Sequence, residues 1–511
     1  MLTKNRANNQ VGFLAILLPL MMAVIGGAFV GLLPNSIQTL LLVFVGSGFV
    51  LICVRKPMIL AYVWLALNIV LIPPIEMYNA EIANTDFLAL LALAVLFIRF
   101  LIGNSNLRYN LKRIKPILVV AILAYLMTTA LSIAVSDYMF ESARRFINIS
   151  LNFAMLLFWI SLWQSRKQIR TFSHHYVILA TIVAMVFIIY AVSNSEVTQL
   201  SFQSLADFRD ITLFVTEVSG LGKIELLLSQ RAFYLFPSLL LFSLLINTKR
   251  NLRYLIFCMI IFGAAFLAFT RGLLISILLG IIIVMVTSIF LTVQPRKVSL
   301  RTKKLWYRIV KLSTLIIVFI LSVPLLSKLL SVNVLELMFG GSRQDTVDAR
   351  FGFWQASWSI FKSHPLLGIG IGNYEKFFAA FLPTYVPERF GTMAISAHSD
   401  FFDQLAETGI FGTLSFIFLA VVVLILSIRA FRKINENDRT LAIGFLATVI
   451  TIVLMGFYAN GFVSPAWYFP FSGLLALAYS PDRPMNHSSH QNSRQSDSNQ
   501  SFLEYEDRRI S

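Results

Sequence analysis

The chain has 511 residues, of which 57% are hydrophobic and only 13% charged, with a formal net charge of +17. Soluble domains carry roughly 25% charged residues, so half that value, with apolar runs of about 18 residues or more, specifies a polytopic membrane protein. Strand-type alternation is missing, which argues against an outer-membrane barrel, and the basic residues sort by loop rather than forming a nucleic-acid surface.

In chain order, apolar stretches predict spans near residues 11–31, 36–54, 58–74, 86–102, 116–135, 146–163, 172–192, 231–247, 252–269, 272–293, 310–331, 410–428, 440–458 and 463–480. The expected fold is therefore an all-α polytopic integral membrane protein with about 12–14 transmembrane helices. The opening Met1–Arg6 segment and the run behind it resemble a signal peptide, but no small-residue cleavage site follows, so it reads as a retained first helix. Cys53 and Cys258 both fall inside apolar runs and read as small packing residues.

Numbering the connections alternately places Lys4, Arg6, Arg55, Lys56, the basic runs at 108–115 and 296–311, Arg166, Lys167, Arg170, Lys249, Arg250, Arg253, Arg429, Arg432, Lys433 and Arg439 on one side. That side holds about 30 of the 42 basic residues and about 7 of the 25 acidic ones, so it is expected inside, with both termini. The loop at 193–230, the Thr270-Arg271-Gly272 turn and a long polar insertion then face outside. Five regions result: 1–247 and 248–339, both transmembrane, the second with the Thr270-Arg271-Gly272 hairpin; 340–409, an extracytoplasmic loop and the candidate for catalysis; 410–480, transmembrane again; and 481–511, a Ser/Asn/Gln-rich tail expected in the cytoplasm and too poor in apolar residues to fold.

The insertion is far longer than an ordinary connection, and it concentrates Arg, His, Gly and Trp in a chain that is otherwise lipid-soluble. His398 precedes Phe401, Phe402 and Leu405 at helical spacing, with Ser399 or Asp400 as a cap and Gly409 as a stop. A histidine at a helix N-terminus is kept neutral by the dipole, the form that accepts a proton; a surface capping histidine is the competing reading. Arg271 sits in a tight turn between two apolar runs, where a guanidinium either snorkels or binds an anion such as a lipid phosphate. Arg350 lies one turn before Trp354, Trp358 and Phe361, which share a face and predict an interfacial helix at headgroup depth. Gly368, Gly370 and Gly372 read as a tight re-entry of the chain, because no strand precedes them as a nucleotide fingerprint would require. Glu407 is a possible orienter of His398; Arg231, Arg343, Arg144 and Arg145 are further outward cations; no Cys or His spacing suggests a metal.

Taken together, the Thr270-Arg271-Gly272 turn, Arg350 with Trp354, the His364–Tyr374 stretch HPLLGIGIGNY and the Ala397–Gly412 stretch AHSDFFDQLAETGIFG resemble the O-antigen ligase and Wzy-type polysaccharide polymerase superfamily. The resemblance covers roughly residues 254–430, and Ser399 departs from the Asn common in the family. It implies a glycosyltransferase of the bacterial inner membrane, with its catalytic loop periplasmic or extracellular. The donor it implies is an undecaprenyl-diphosphate-linked glycan, the acceptor a glycan, lipid or protein hydroxyl, and neither cofactor nor metal takes part. His398 would be the base, Arg271 and Arg350 would hold the diphosphate, and Glu407, Arg231 and Arg343 would support them. A flippase without transferase activity is the alternative; it would show repeated halves and charges within spans.

Overall fold

The structure, a computed structural model, describes residues 48–69, 75–77, 80–82, 84–103, 114–193, 215–218, 222–225, 232–247, 252–267, 271–291, 344–386 and 396–479. The expected spans at 11–31 and 310–331, most of 36–54, and the 481–511 tail lie outside these residues. The helices are α1 Met58–Ile69, α2 Asn84–Leu101, α3 Pro116–Ile133, α4 Met139–Leu162, α5 Arg166–Ser193, α6 Ala232–Asn247, α7 Leu252–Leu267, α8 Arg271–Leu291, α9 Gln344–Ser363, α10 Tyr374–Phe381, α11 Asp400–Arg432, α12 Glu436–Met455 and α13 Tyr468–Tyr479. Two small antiparallel hairpins interrupt the connections, β1 Ile75–Met77 with β2 Ala80–Ile82 and β3 Val215–Val218 with β4 Gly222–Glu225.

Five of these helices, α3, α4, α5, α11 and α12, are long and apolar enough to cross a bilayer among the described residues. A bent pair, Gly48–Arg55 and Met58–Ala66, turns by 116° at Lys56-Pro57, and α2, α6, α7 and α8 are shorter apolar helices. The chain is an all-α polytopic membrane protein. Pro116 at the first position of α3 starts that helix where its missing N–H costs nothing.

Helices in lipid gain little from the hydrophobic effect between themselves, so close contact and interhelical hydrogen bonds hold the bundle. At its centre Trp159, Trp163, Phe172, Tyr176, Phe236 and Phe445 gather around Phe469, which lies 4.9 Å from both Phe172 and Phe236. Trp163 Nε1 donates to Ser472 Oγ at 3.0 Å, tying α13 to the end of α4. Thr128 and Ser415 hydroxyls meet at 2.7 Å between α3 and α11. On the far side of α12, Gly444 lets the α6 backbone approach at Leu240. Cys53 and Cys258 are buried and unbridged, as packing residues.

The polar insertion is a folded unit with its own core. Ala349, Phe353, Ile360, Ile369, Tyr374, Phe378, Ala397 and Ala406 form a second apolar cluster drawn from α9, α10 and the start of α11. This changes the reading of α9 as an interfacial helix. Phe353, Ala356 and Ile360, at i, i+3 and i+7, are buried, and packing that stripe turns Trp354 into the protein. Trp354 stacks on Phe402 at 5.2 Å and 10°, and its Nε1 donates to the Ala397 carbonyl at 3.1 Å. Trp358, one turn further along the same face, is 46% exposed.

Candidate active site

His398 sits in a turn built by side chains on either side of it. Its φ is 54°, and among the described residues it alone is a non-glycine with positive φ. Left-handed backbone costs a residue with a Cβ roughly 1–2 kcal/mol, so something must hold it there. Asp403 Oδ1 accepts from Ala397 N at 2.6 Å, and Ser396 Oγ accepts from His398 N at 3.2 Å. Ser399, the N-cap of α11, accepts from Phe402 N at 3.4 Å and donates to the Phe457 carbonyl at 2.9 Å. Ser399 therefore makes a working cap. The imidazole lies 6.0 Å, centroid to centroid, from Phe353. Arg350 precedes Phe353 and Trp354 by one turn and so shares the α9 face that meets this turn.

Behind His398, α11 breaks at Gly409, whose φ of 62° and ψ of −159° suit glycine alone. The break frees backbone groups that an unbroken helix would pair internally. The strap at 364–374 takes them up: Ile369 N donates to Ala406 O at 3.1 Å, Gly370 N to Glu407 O at 3.0 Å, and Ile410 N to Pro365 O at 2.9 Å. Gly368, at φ 67°, and Gly409 face this seam, where a Cβ on either would collide with the opposite backbone. The strap is anchored at its other end by buried Asn373, whose Nδ2 donates to Ser136 Oγ at 2.6 Å in the α3–α4 connection and to Ser142 Oγ at 3.1 Å in the first turn of α4.

The nine residues before Gly409 carry Asp400, Asp403 and Glu407 at i, i+3 and i+7. They are too polar to face hydrocarbon, so the apolar crossing begins after the break. Asp400 Oδ2 accepts from three successive backbone N–H groups, Gly461 at 2.8 Å, Phe462 at 2.6 Å and Val463 at 3.3 Å. Burial still pushes its carboxyl up to about 6 against those bonds and the Arg145 charge. Burial also lifts Asp403 well above the usual carboxylate range, and the Glu407 charge lifts it further. Glu407 is raised by burial too, but the Gly372 and Tyr374 N–H groups and Arg145 favour its charged form; Tyr374 N donates to Oε1 at 3.1 Å.

The third component is the connection between α12 and α13. Phe401 N donates to the Gly456 carbonyl at 3.0 Å, and Asn460 Nδ2 donates to Ser396 Oγ at 2.9 Å, the same oxygen that holds His398 N. On its other side this connection meets the first turn of α8. Tyr458 Oη and Ser276 Oγ lie 2.7 Å apart, and Ser276 donates its own proton to the Gly272 carbonyl at 2.6 Å. A Cβ on Gly272 would sit 4.0 Å from Cβ of Ala459. The helix opened by Arg271 and the turn that presents His398 are thus held by neighbouring residues of one short connection.

Residues 256–417 match the family model described as O-antigen ligase. That segment is similar to the O-antigen ligase family. No curated protein matches the chain. The matched segment contains Arg271, Arg350, His398 and Glu407. Arg271 is the first residue of α8, and its side chain, like Arg231 and Arg343, lies outside the described residues. Glu407, expected as an orienter of His398, accepts from the strap at Tyr374 N, whereas Asp403 is the acid bonded to the His398 turn. Asp403, Asn373, Tyr458 and Asn460 were not singled out by sequence. The i, i+3, i+7 spacing of the three acids could have flagged Asp403; nothing local could have flagged Tyr458.

Proposed function

We propose that the chain transfers glycans from an undecaprenyl-diphosphate-linked donor to a hydroxyl acceptor at the outer face of the bacterial cytoplasmic membrane. The acceptor oxygen attacks the anomeric carbon as the bond from that carbon to the diphosphate oxygen breaks. The diphosphate leaves with the electron pair. His398 accepts the hydroxyl proton. Arg271 and Arg350 stabilise the departing diphosphate, and an arginine fork matches two phosphate oxygens at once. The lopsided distribution of basic residues supports an outward-facing site.

The observation that carries this reading is the convergence of the α8 N-terminus and the His398 turn on residues 456–460, inside a chain with a segment similar to the O-antigen ligase family. Polymerisation and ligation share this chemistry and differ in the acceptor. The test is transfer of glycan by cells or proteoliposomes carrying His398→Ala at normal membrane levels. Loss of a general base predicts a fall of about 10²–10⁴-fold. Undiminished transfer would make His398 a capping residue, and translocation of the lipid-linked glycan without transfer would favour a flippase.

A further inference from the structure

The residues that join the two halves of the site lie beyond the O-antigen ligase match, which ends at 417. The connection after α12 is a compact turn: Gly456 N bonds to Ile452 O, Tyr458 N to Met455 O at 3.0 Å, and Ala459 N to Met455 O at 2.7 Å. One face of it grips the His398 side. Gly456 and Phe457 offer carbonyls to Phe401 N and Ser399 Oγ, Asn460 holds Ser396, and Gly461 to Val463 give three N–H groups to Asp400. The other face grips α8 within two turns of Arg271. Ser276 has one hydroxyl proton and donates it to Gly272 O, so Tyr458 is the donor in the pair they form. A chain of bonds then runs from Tyr458 through Ser276 to the carbonyl next to Arg271.

We propose that Tyr458 and Asn460 are positioning residues that set the distance between the diphosphate-binding arginine on α8 and the base on the His398 turn. This rests on the transferase reading above. Neither residue touches the reacting atoms. Each fixes an element that carries one of the reacting partners, and small displacements between such partners cost rate out of proportion to their effect on stability. Binding and catalysis should therefore separate. Each element still binds its part of the substrate when the link is cut, but the two are no longer in register.

The geometry can be tested without reference to activity. In a chain with Cys53 and Cys258 replaced by Ala, Gly272→Cys with Ala459→Cys places two Cβ atoms at a separation a disulfide accepts. Mild oxidation of the membrane-embedded protein should close this bond, read as loss of thiol labelling, and failure to close it would overturn the proposed contact. Activity then tests the role. Tyr458→Phe keeps the ring and removes only the bond to Ser276, while Asn460→Ala cuts the link on the other side. Each should lower kcat for glycan transfer by about tenfold or more with donor KM changed less than about threefold. If one variant fails to insert, the other carries the test. Unchanged kcat in an inserted variant would overturn the positioning role, as would a change confined to KM. Absence of transfer from the unmodified protein would instead strike the functional reading, leaving the disulfide result standing.

Discussion

At His398 the backbone and the side chain have opposite interests. The proposed mechanism needs the ring at this point of the turn, but a φ of 54° is a conformation in which glycine is at ease and histidine is not. The cost is met by Asp403 and Ser396, which bond to Ala397 N and His398 N, and by Ser399, which caps α11 and reaches across to Phe457. A strained residue held by over-determined neighbours is a mark of a functional position. His398→Gly separates the two interests. Relief of strain should leave thermal stability unchanged or raise it by up to about 1 kcal/mol, while glycan transfer is lost as fully as in the alanine variant. A clear fall in melting temperature would show that the imidazole is there for packing, against Phe353 above all. The identity of this histidine and its place before a helix were legible in sequence. Its left-handed backbone was not, because the acid that enforces it is five residues away and acts through tertiary geometry.

At the scale of elements, α11 shows how a local signal can be right about chemistry and incomplete about structure. Gly409 reads as a helix stop, yet the helix resumes and continues to Arg432. The reason is that the strap from Pro365 to Gly370 pairs the groups the break exposes, so the break costs little and the helix need not end. Likewise the Gly368, Gly370, Gly372 series was readable as a tight re-entry, but its partner was not, since nothing near it in sequence names residues 406–411. Gly409→Ala would meet both a left-handed φ and the Leu366 backbone. It should destabilise the protein by about 2 kcal/mol or more, with protease sensitivity appearing first in the 364–374 strap. An alanine variant as stable as the parent, with the strap still protected, would mean that the seam between strap and helix does not form. On α9 the expectation needs correcting at one residue: Trp354 shares a face with Trp358, but Phe402 and the Ala397 carbonyl draw Trp354 inward while Trp358 stays exposed.

For the whole molecule, hydropathy located most described helices to within several residues, because every crossing must satisfy its own backbone within the bilayer. What hydropathy cannot express is how the crossings meet. The brace at 456–463 and the core beneath His398 are contacts between segments tens to hundreds of residues apart. Arg271 and His398 are 127 positions apart in the chain, yet one connection touches the elements that carry both. The most direct test of that convergence is incorporation of a labelled undecaprenyl-diphosphate glycan by the purified protein in nanodiscs, with a chelator present, comparing Arg271→Lys and Arg350→Lys with the unmodified chain. Lysine keeps the charge and the reach but not the two-pronged fork. Both variants are predicted to insert normally and to lose about tenfold or more of their turnover. Near-normal turnover in both would contradict the account, reducing the two arginines to membrane anchors and leaving His398 without a partner in the chemistry.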